Sequence, residues 1–145
     1  QYVTDFGEDC LQDNPKVTIT PHLGGSTKEA EINCAKMAVD ELTQYLETGN
    51  TTNAVNLPDV VAPFTSQHRF TIIHRNIPNM LGQISTAIAK AEVNIDNLVN
   101  RAKGEYAYTM VDVGELTAEQ TEILTTTLNQ IDAVSRVRLL DRPKQ

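Results

Sequence analysis

The sequence predicts an α+β fold, because segments of period-2 apolar alternation and segments of helical apolar spacing follow one another as strand, helix, strand, strand, helix, strand over residues 68–139. Phe70, Ile72 and His74 fall on one face of a strand and Thr71 and Ile73 on the other, whereas Met80, Leu81, Ile84, Ala87, Ile88 and Ala91 recur at the spacing of a helix face. Turn and cap chemistry separates the segments: Asn76-Ile77-Pro78-Asn79, Lys103-Gly104, and Thr117 with Gln120 three residues on.

The first strand, 68–75, runs into the polar turn His74-Arg75-Asn76-Ile77-Pro78-Asn79-Met80-Leu81-Gly82. A helix over 78–91 is expected to begin at Pro78, whose fixed φ suits a first helical residue. The unpaired N–H groups of its first turn are a natural seat for a carboxylate. A second strand over 93–102 places Ile95, Asn97 and Val99 on one face. Lys103-Gly104 is expected to form a two-residue hairpin turn. A third strand over 106–113 alternates Ala107, Thr109, Val111 and Val113. The Thr117–Gln120 capping box opens a helix marked by Leu124, Leu128 and Ile131, and Val134, Val137 and Leu139 form a last strand. This order is the ferredoxin-like split βαβ pair. Its first two strands are parallel, so Asn94 lies at the opposite end of the sheet from His74 and Asn76, about 20 Å away. If the second strand is an exposed edge that pairs with a two-fold mate, the partner's Asn94 comes beside His74 and Asn76.

Ahead of this module, residues 17–20 read as a short β-branched strand ended by Pro21. Ser26 and Glu29 are spaced as a capping box. Ala30, Cys34, Ala35, Ala38, Val39, Leu42, Tyr45 and Leu46 give the stripe of a helix of five to six turns, stopped by Gly49-Asn50. His22 thus stands on the glycine-containing loop Pro21-His22-Leu23-Gly24-Gly25-Ser26-Thr27, between a strand end and a helix start, where open α/β sheets bind ligands. From 51 to 67 the periodicity fades. Val55, Leu57, Val60, Val61 and Phe64 predict an extended linker that packs on a neighbour.

The chain has 145 residues, 40% of them hydrophobic, which is enough for one solid core or two small ones. A formal net charge of -7 with no dense Lys/Arg cluster argues against nucleic acid as a partner. No apolar run approaches the roughly 20 residues of a membrane helix, and no signal-peptide pattern opens the chain, so a cytoplasmic protein is expected. Cys10 and Cys34 suit neither a disulfide framework nor a zinc site, and no metal is expected. A start at Gln1 that enters the β-like Tyr2-Val3-Thr4 directly reads as the interior of a longer protein.

Two resemblances attach to these residues. The Pro-His-x-Gly-Gly-Ser-Thr loop resembles the catalytic-histidine segment of the D-2-hydroxyacid dehydrogenases, most closely the D-3-phosphoglycerate dehydrogenases. The βαββαβ module with His74-x-Asn76, Pro78-x-Met80-Leu81 and Asn94 resembles the ACT domain that ends those enzymes. The resemblance implies a remnant of the α/β (Rossmann-type) dehydrogenase region over 1–53, a linker over 54–67 and an ACT regulatory domain over 68–145. It implies His22 as general acid/base, with Gly24 and Gly25 near the nicotinamide of NAD, in the intact parent. It further implies L-serine as an effector at an ACT homodimer interface, held by His74, Asn76 and Asn94 and lined by Asn79, Met80 and Leu81. Many relatives carry glycine where this chain has Asn79, and asparagine is the next best residue for a left-handed backbone. A dimerisation module without an effector, or the regulatory part of another D-2-hydroxyacid dehydrogenase, is the alternative.

Dinucleotide binding needs a Gly-x-Gly-x-x-Gly turn, and no two of the seven glycines stand two apart. The family's arginine and glutamate lie upstream of its histidine, and no arginine precedes His22, which leaves His22 without cofactor, orienter or substrate clamp in this chain. The chain alone is therefore expected to be inactive as an oxidoreductase and to leave NADH fluorescence unchanged on titration; saturable binding at micromolar concentration would contradict this reading.

Overall fold

A computed structural model describes residues 1–143 of the chain. It divides into two compact units, Gln1–Val39 and Asp40–Gln145, the division falling inside the long helix α1 (Lys28–Thr48).

In the first unit, β1 (Tyr2–Thr4) pairs parallel with β2 (Val17–Ile19), Val3 opposite Thr18. A 3-10 turn at Asp9–Leu11 lies between them. The cap of α1 differs from the expected Ser26–Glu29 box: Thr27 Oγ1 accepts from the Ala30 N–H at 3.1 Å. Thr27 is the residue immediately before the helix, so its hydroxyl reaches the N–H three residues on and Ser26 is left in the preceding turn.

The second unit is built on a four-stranded antiparallel sheet of order β4-β5-β3-β6. The strands are β3 (His68–Arg75), β4 (Ile95–Lys103), β5 (Tyr106–Val113) and β6 (Val134–Asp141), with α2 (Met80–Lys90) and α3 (Ala118–Asn129) as crossovers. The two central strands lie between edges β4 and β6, as the ferredoxin-like reading requires. Phe70, Ile72, Val111 and Val113 meet Ile84, Ile88, Leu124 and Leu128 on the helix-bearing face, all fully buried. Each such side chain contributes roughly 1.5–3 kcal/mol by leaving water. The Thr117–Gln120 capping box is present as read, hydroxyl to N–H and carboxamide to N–H, at 3.1 and 3.0 Å.

Three local readings are corrected. Helix α2 begins at Met80, two residues later than Pro78, because Asn79 takes a left-handed backbone (φ 66°) and becomes the residue before the helix. The hairpin loop is Gly104-Glu105, closed by Lys103 opposite Tyr106, with the positive φ of +62° at its first position. Ile95 and Asn97 do not share a face: a bulge at Asp96 shifts the register, so that Ile95 and Leu98 join the helix-side core while Asn97 and Val99 face the other way.

The other face of the sheet is covered by residues 45–64. Val60 and Ala62 bury themselves on Tyr108 and Met110, with Tyr45, Ile73 and Val99 around them. This is why every residue of β5 from Ala107 to Val113 is buried. The covering is fixed by Arg69, which is fully buried. Its Nε and Nη2 donate to the two carboxylate oxygens of Asp112, the latter at 2.9 Å. Its remaining N–H groups donate to the carbonyls of Thr48, Ala62 and Pro63 at 2.8, 3.3 and 2.7 Å, and its plane lies 4.4 Å from the Phe64 ring centre. Arg138 does the same for the last turn of α1, donating to the carbonyls of Tyr45 and Leu46. The helix then stops at Gly49, where φ is +73° and a Cβ would meet Thr71 Cγ2 at 2.5 Å.

Removing one member of a buried pair strands the other, so Arg69→Met is expected to destabilise the fold by about 3–5 kcal/mol, with Arg69→Met/Asp112→Leu costing well under the sum of the single changes; urea unfolding of the three variants measures this.

A second expectation concerns Tyr108, whose hydroxyl donates to the Gly49 carbonyl at 2.7 Å and whose burial pushes its pKa up to about 12. In the unfolded chain a tyrosine titrates near 10, so between about pH 10 and 12 the unfolded state releases a proton that the folded state keeps. The stability tied to this group is whole below that window and falls by about 2–3 kcal/mol as pH rises through it. Tyr108→Phe is expected to be less stable at pH 8 yet to lose less on going to pH 11, as read from urea midpoints.

Candidate functional site

His22 is exposed, and its Nδ1 lies 2.9 Å from Asp5 Oδ2, with the Phe6 ring 4.8 Å from the imidazole centre. The expectation of a histidine without an orienting carboxylate is thereby corrected. The parallel pairing of β1 and β2 brings Asp5, just past the end of β1, beside the loop that follows β2. An imidazole held at Nδ1 by a carboxylate offers Nε2 for proton exchange. Gly24 and Gly25 have no left-handed backbone, and a Cβ at either would meet nothing within 4 Å. The fold of this unit does not itself require glycine there.

In the second unit the strand-end residues separate by environment. Asn76 is exposed and anchors the hairpin across from it: its N–H donates to the Glu105 carbonyl at 2.8 Å and its Nδ2 to the Gly104 carbonyl at 3.3 Å. Asn79 is exposed, Met80 is buried and Leu81 is 39% exposed. A Cβ on Gly82 would collide with Asn79 Oδ1, so glycine at this third helical position lets the carboxamide fold over the helix start. Asn79 makes no side-chain cap bond. The first-turn N–H groups of α2 thus follow the exposed Asn79 with no side-chain cap.

His74 is placed differently from what an exposed ligand contact would need. It is 2% exposed, with Nδ1 2.9 Å from the Arg75 carbonyl and Nε2 2.8 Å from Thr109 Oγ1, which in turn lies 2.8 Å from Asn100 Oδ1. Asn94, exposed, immediately precedes β4, whose first residue pairs with Val113, the residue opposite His68 on β3. Within one chain it is thus at the far end of the sheet from His74 and Asn76, as the strand arithmetic required.

Sequence reasoning missed Thr109 and Asn100, which share the helix-bearing face with His74, and it missed Arg69 with Asp112. A signal for the latter existed. Asp112 interrupts Met110-Val111-Asp112-Val113, a run buried on both sides, and a carboxylate there demands a buried cation.

Other surfaces are shallow. A groove of about 350 Å³ between α2 and α3 is lined by Asn79, Gln83, Thr86, Lys90, Thr127 and Ile131 among others. Among the described residues no group of three or more His, Cys, Asp or Glu is placed to hold a metal ion, and no helix is long and apolar enough to cross a membrane.

No family model matches the chain. It is 33% identical over 131 residues to D-3-phosphoglycerate dehydrogenase of Escherichia coli (strain K12), covering 90% of this chain and 31% of that protein. It is 30% identical over 131 residues to D-3-phosphoglycerate dehydrogenase 2 of Saccharomyces cerevisiae, covering 87% and 28%. It is 31% identical over 129 residues to a putative D-3-phosphoglycerate dehydrogenase of Schizosaccharomyces pombe, covering 86% and 27%. Among solved structures, the ACT domain of GTP pyrophosphokinase of Chlorobium tepidum aligns with a TM-score of 0.47 at 21% identity, over 52% of this chain and 97% of that one. The regulatory subunit of aspartate kinase from Thermus thermophilus aligns at 0.44 and 14% identity, over 57% and 54%. Along nearly all of its length the chain is similar to D-3-phosphoglycerate dehydrogenases, of which it spans less than a third, and its second unit has a ferredoxin-like strand order.

Proposed function

We propose that the chain is the regulatory part of an NAD-dependent D-3-phosphoglycerate dehydrogenase, in which residues 1–53 belong to the dehydrogenase region, 54–67 link, and 68–145 form an ACT domain that binds L-serine at a homodimer interface. The observation that carries the reading is the 33% identity over nine-tenths of the chain to an enzyme of that name, in register with the ferredoxin-like module. The parent would oxidise 3-phosphoglycerate in the cytoplasm, with His22 as general acid/base and with Gly24 and Gly25 at the nicotinamide. The Asp5 carboxylate on His22 Nδ1 and the open space at both glycines favour that assignment.

The effector's carboxylate takes the N-terminal N–H groups of α2, beside Asn76 and Asn79, and its ammonium group takes asparagine oxygens, one of them the partner's Asn94. The edge strand β4 is the pairing surface that brings that residue in. Asp96 on this edge is occupied by the Ser66 hydroxyl at 2.7 Å and Lys103 Nζ donates to the Ala54 carbonyl at 2.9 Å, which leaves Arg101 as its free charge among the described residues. His74, enclosed and hydrogen-bonded at both nitrogens, supports the site from behind. That same enclosure is the observation that favours a second reading, a dimerisation module without an effector.

Titration calorimetry of the chain against L-serine separates the two. On the effector reading serine releases heat and shifts the monomer–dimer equilibrium towards dimer, since a site shared by two chains couples binding to association. Asn76→Ala and Asn94→Ala each weaken binding about ten- to a hundredfold, the worth of one hydrogen bond to a charged group. A dimer in sedimentation equilibrium that takes up no serine at millimolar concentration establishes the dimerisation reading.

A further inference from the structure

The hydrogen-bond accounting around His74 does not close for a neutral imidazole with the side chains as they stand. The Arg75 carbonyl only accepts, so His74 Nδ1, 2.9 Å away, carries a proton. Thr109 Oγ1 owns a single proton, which it donates to Asn100 Oδ1 at 2.8 Å, and it therefore accepts from His74 Nε2 at 2.8 Å. With the carboxamide turned this way, both ring nitrogens have to donate, which only the imidazolium form of a histidine does. A neutral His74 that keeps Nδ1–H must instead accept the Thr109 proton at Nε2. Thr109 then needs a donor in place of an acceptor, and Asn100 supplies one only by turning its carboxamide so that Nδ2 faces Thr109.

We propose that His74, Thr109 and Asn100 form a proton-coupled relay in which the charge state of the enclosed imidazole sets the orientation of the Asn100 carboxamide on edge strand β4. With His74 charged, Asn100 presents its NH2 donors away from Thr109, suited to a carboxylate or a backbone carbonyl docking on the edge. With His74 neutral, it presents the carbonyl, suited to an ammonium group or a backbone N–H. The relay stands whether or not an amino acid binds at this end of the sheet.

The surroundings leave the relay as the route by which the charge is felt. On the helix-bearing face His74 has Ala107 and Thr109 on β5, Val134 on β6, and Asn100 and Ala102 on β4, none of them charged. Helix α2 carries one charge, Lys90 in its last turn, and α3 carries Glu119 and Glu122 in its first half. The α3 start lies at the far end of the layer, where Gln120 Nε2 reaches the Ala91 carbonyl. The charges nearest in sequence to this end, Arg75, Glu105 and Asp132, are on exposed residues.

The test is a nitrogen NMR titration of the full chain between about pH 5 and 8, the range in which histidine changes charge. The expected result is a neutral tautomer with the proton on Nδ1, and an Asn100 side-chain amide pair that shifts with the same midpoint as the His74 ring. In Thr109→Val the amide pair no longer follows the ring. In Asn100→Asp, whose carboxylate only accepts, the Thr109 proton is tied up and His74 holds its second proton at least about tenfold more tightly. A neutral His74 protonated at Nε2, a ring that keeps one charge state throughout, or an Asn100 amide pair indifferent to the titration overturns the proposal in the unsubstituted protein, without recourse to either variant.

Discussion

The second unit depends on one ion pair that no solvent reaches. Arg69 and Asp112 face each other across β3 and β5 on the side of the sheet away from the helices, and both are essentially inaccessible. A buried pair of charges is weak evidence of net stability, because desolvation offsets most of the attraction. What the arginine adds is geometry. Its five donors are all used, two on the carboxylate and the others on the carbonyls of Thr48, Ala62 and Pro63. Those carbonyls belong to the end of α1 and to the segment after it, neither of which has a ladder to satisfy its backbone there. A lysine would offer a point charge without the fork that reaches carboxylate and carbonyls together. The irregular segment 50–64 therefore lies on the sheet in one arrangement, and β5 is buried on both faces because of it.

The two faces of the sheet answer to different chemistry. The helix side is held by aliphatic packing that tolerates rearrangement only at the cost of cavities, whereas the other side is held by directed bonds around Arg69, Arg138 and Tyr108. The polar surface at the start of α2 sits where the helix-side packing ends. There Asn79 accepts a left-handed φ that most residues avoid, and Gly82 makes room for its carboxamide.

What was legible in the sequence follows from period. The strand and helix order, the Thr117–Gln120 box and the cover expected from Val60 and its neighbours rest on patterns that burial imposes on either chain direction. The misplacements are of one or two residues, and each has a local cause. Thr27 outcompeted Ser26 for the cap because only one hydroxyl stands at the residue before the helix. The bulge at Asp96 put Ile95 and Asn97 on opposite faces, since a strict period of two cannot register an inserted residue. Pro78 looked like a first helical residue, yet the left-handed Asn79 intervenes, and nothing in the apolar spacing distinguishes those two starts. The His22–Asp5 and His74–Thr109–Asn100 contacts were not readable at all. They join residues 17, 35 and 9 positions apart through parallel and antiparallel registers that only the folded sheet defines.

The geometry also constrains how any small polar ligand is held at the start of α2. His74 has no free ring nitrogen to offer, so direct contacts fall to the exposed Asn76 and Asn79 and to backbone N–H groups. Asn76 spends one of its two Nδ2–H donors on the Gly104 carbonyl, and its Oδ1 is an acceptor suited to an ammonium group. The helix start has the opposite preference, since its unpaired N–H groups and dipole favour a negative group. One chain therefore presents an acceptor at Asn76 and, four residues on, a positive helix end at Met80. It presents them on an open surface, where each bond competes with water and little apolar area is gained. The edge of β4, whose outer ladder groups have no strand partner among the described residues, is the open side of the sheet next to β5.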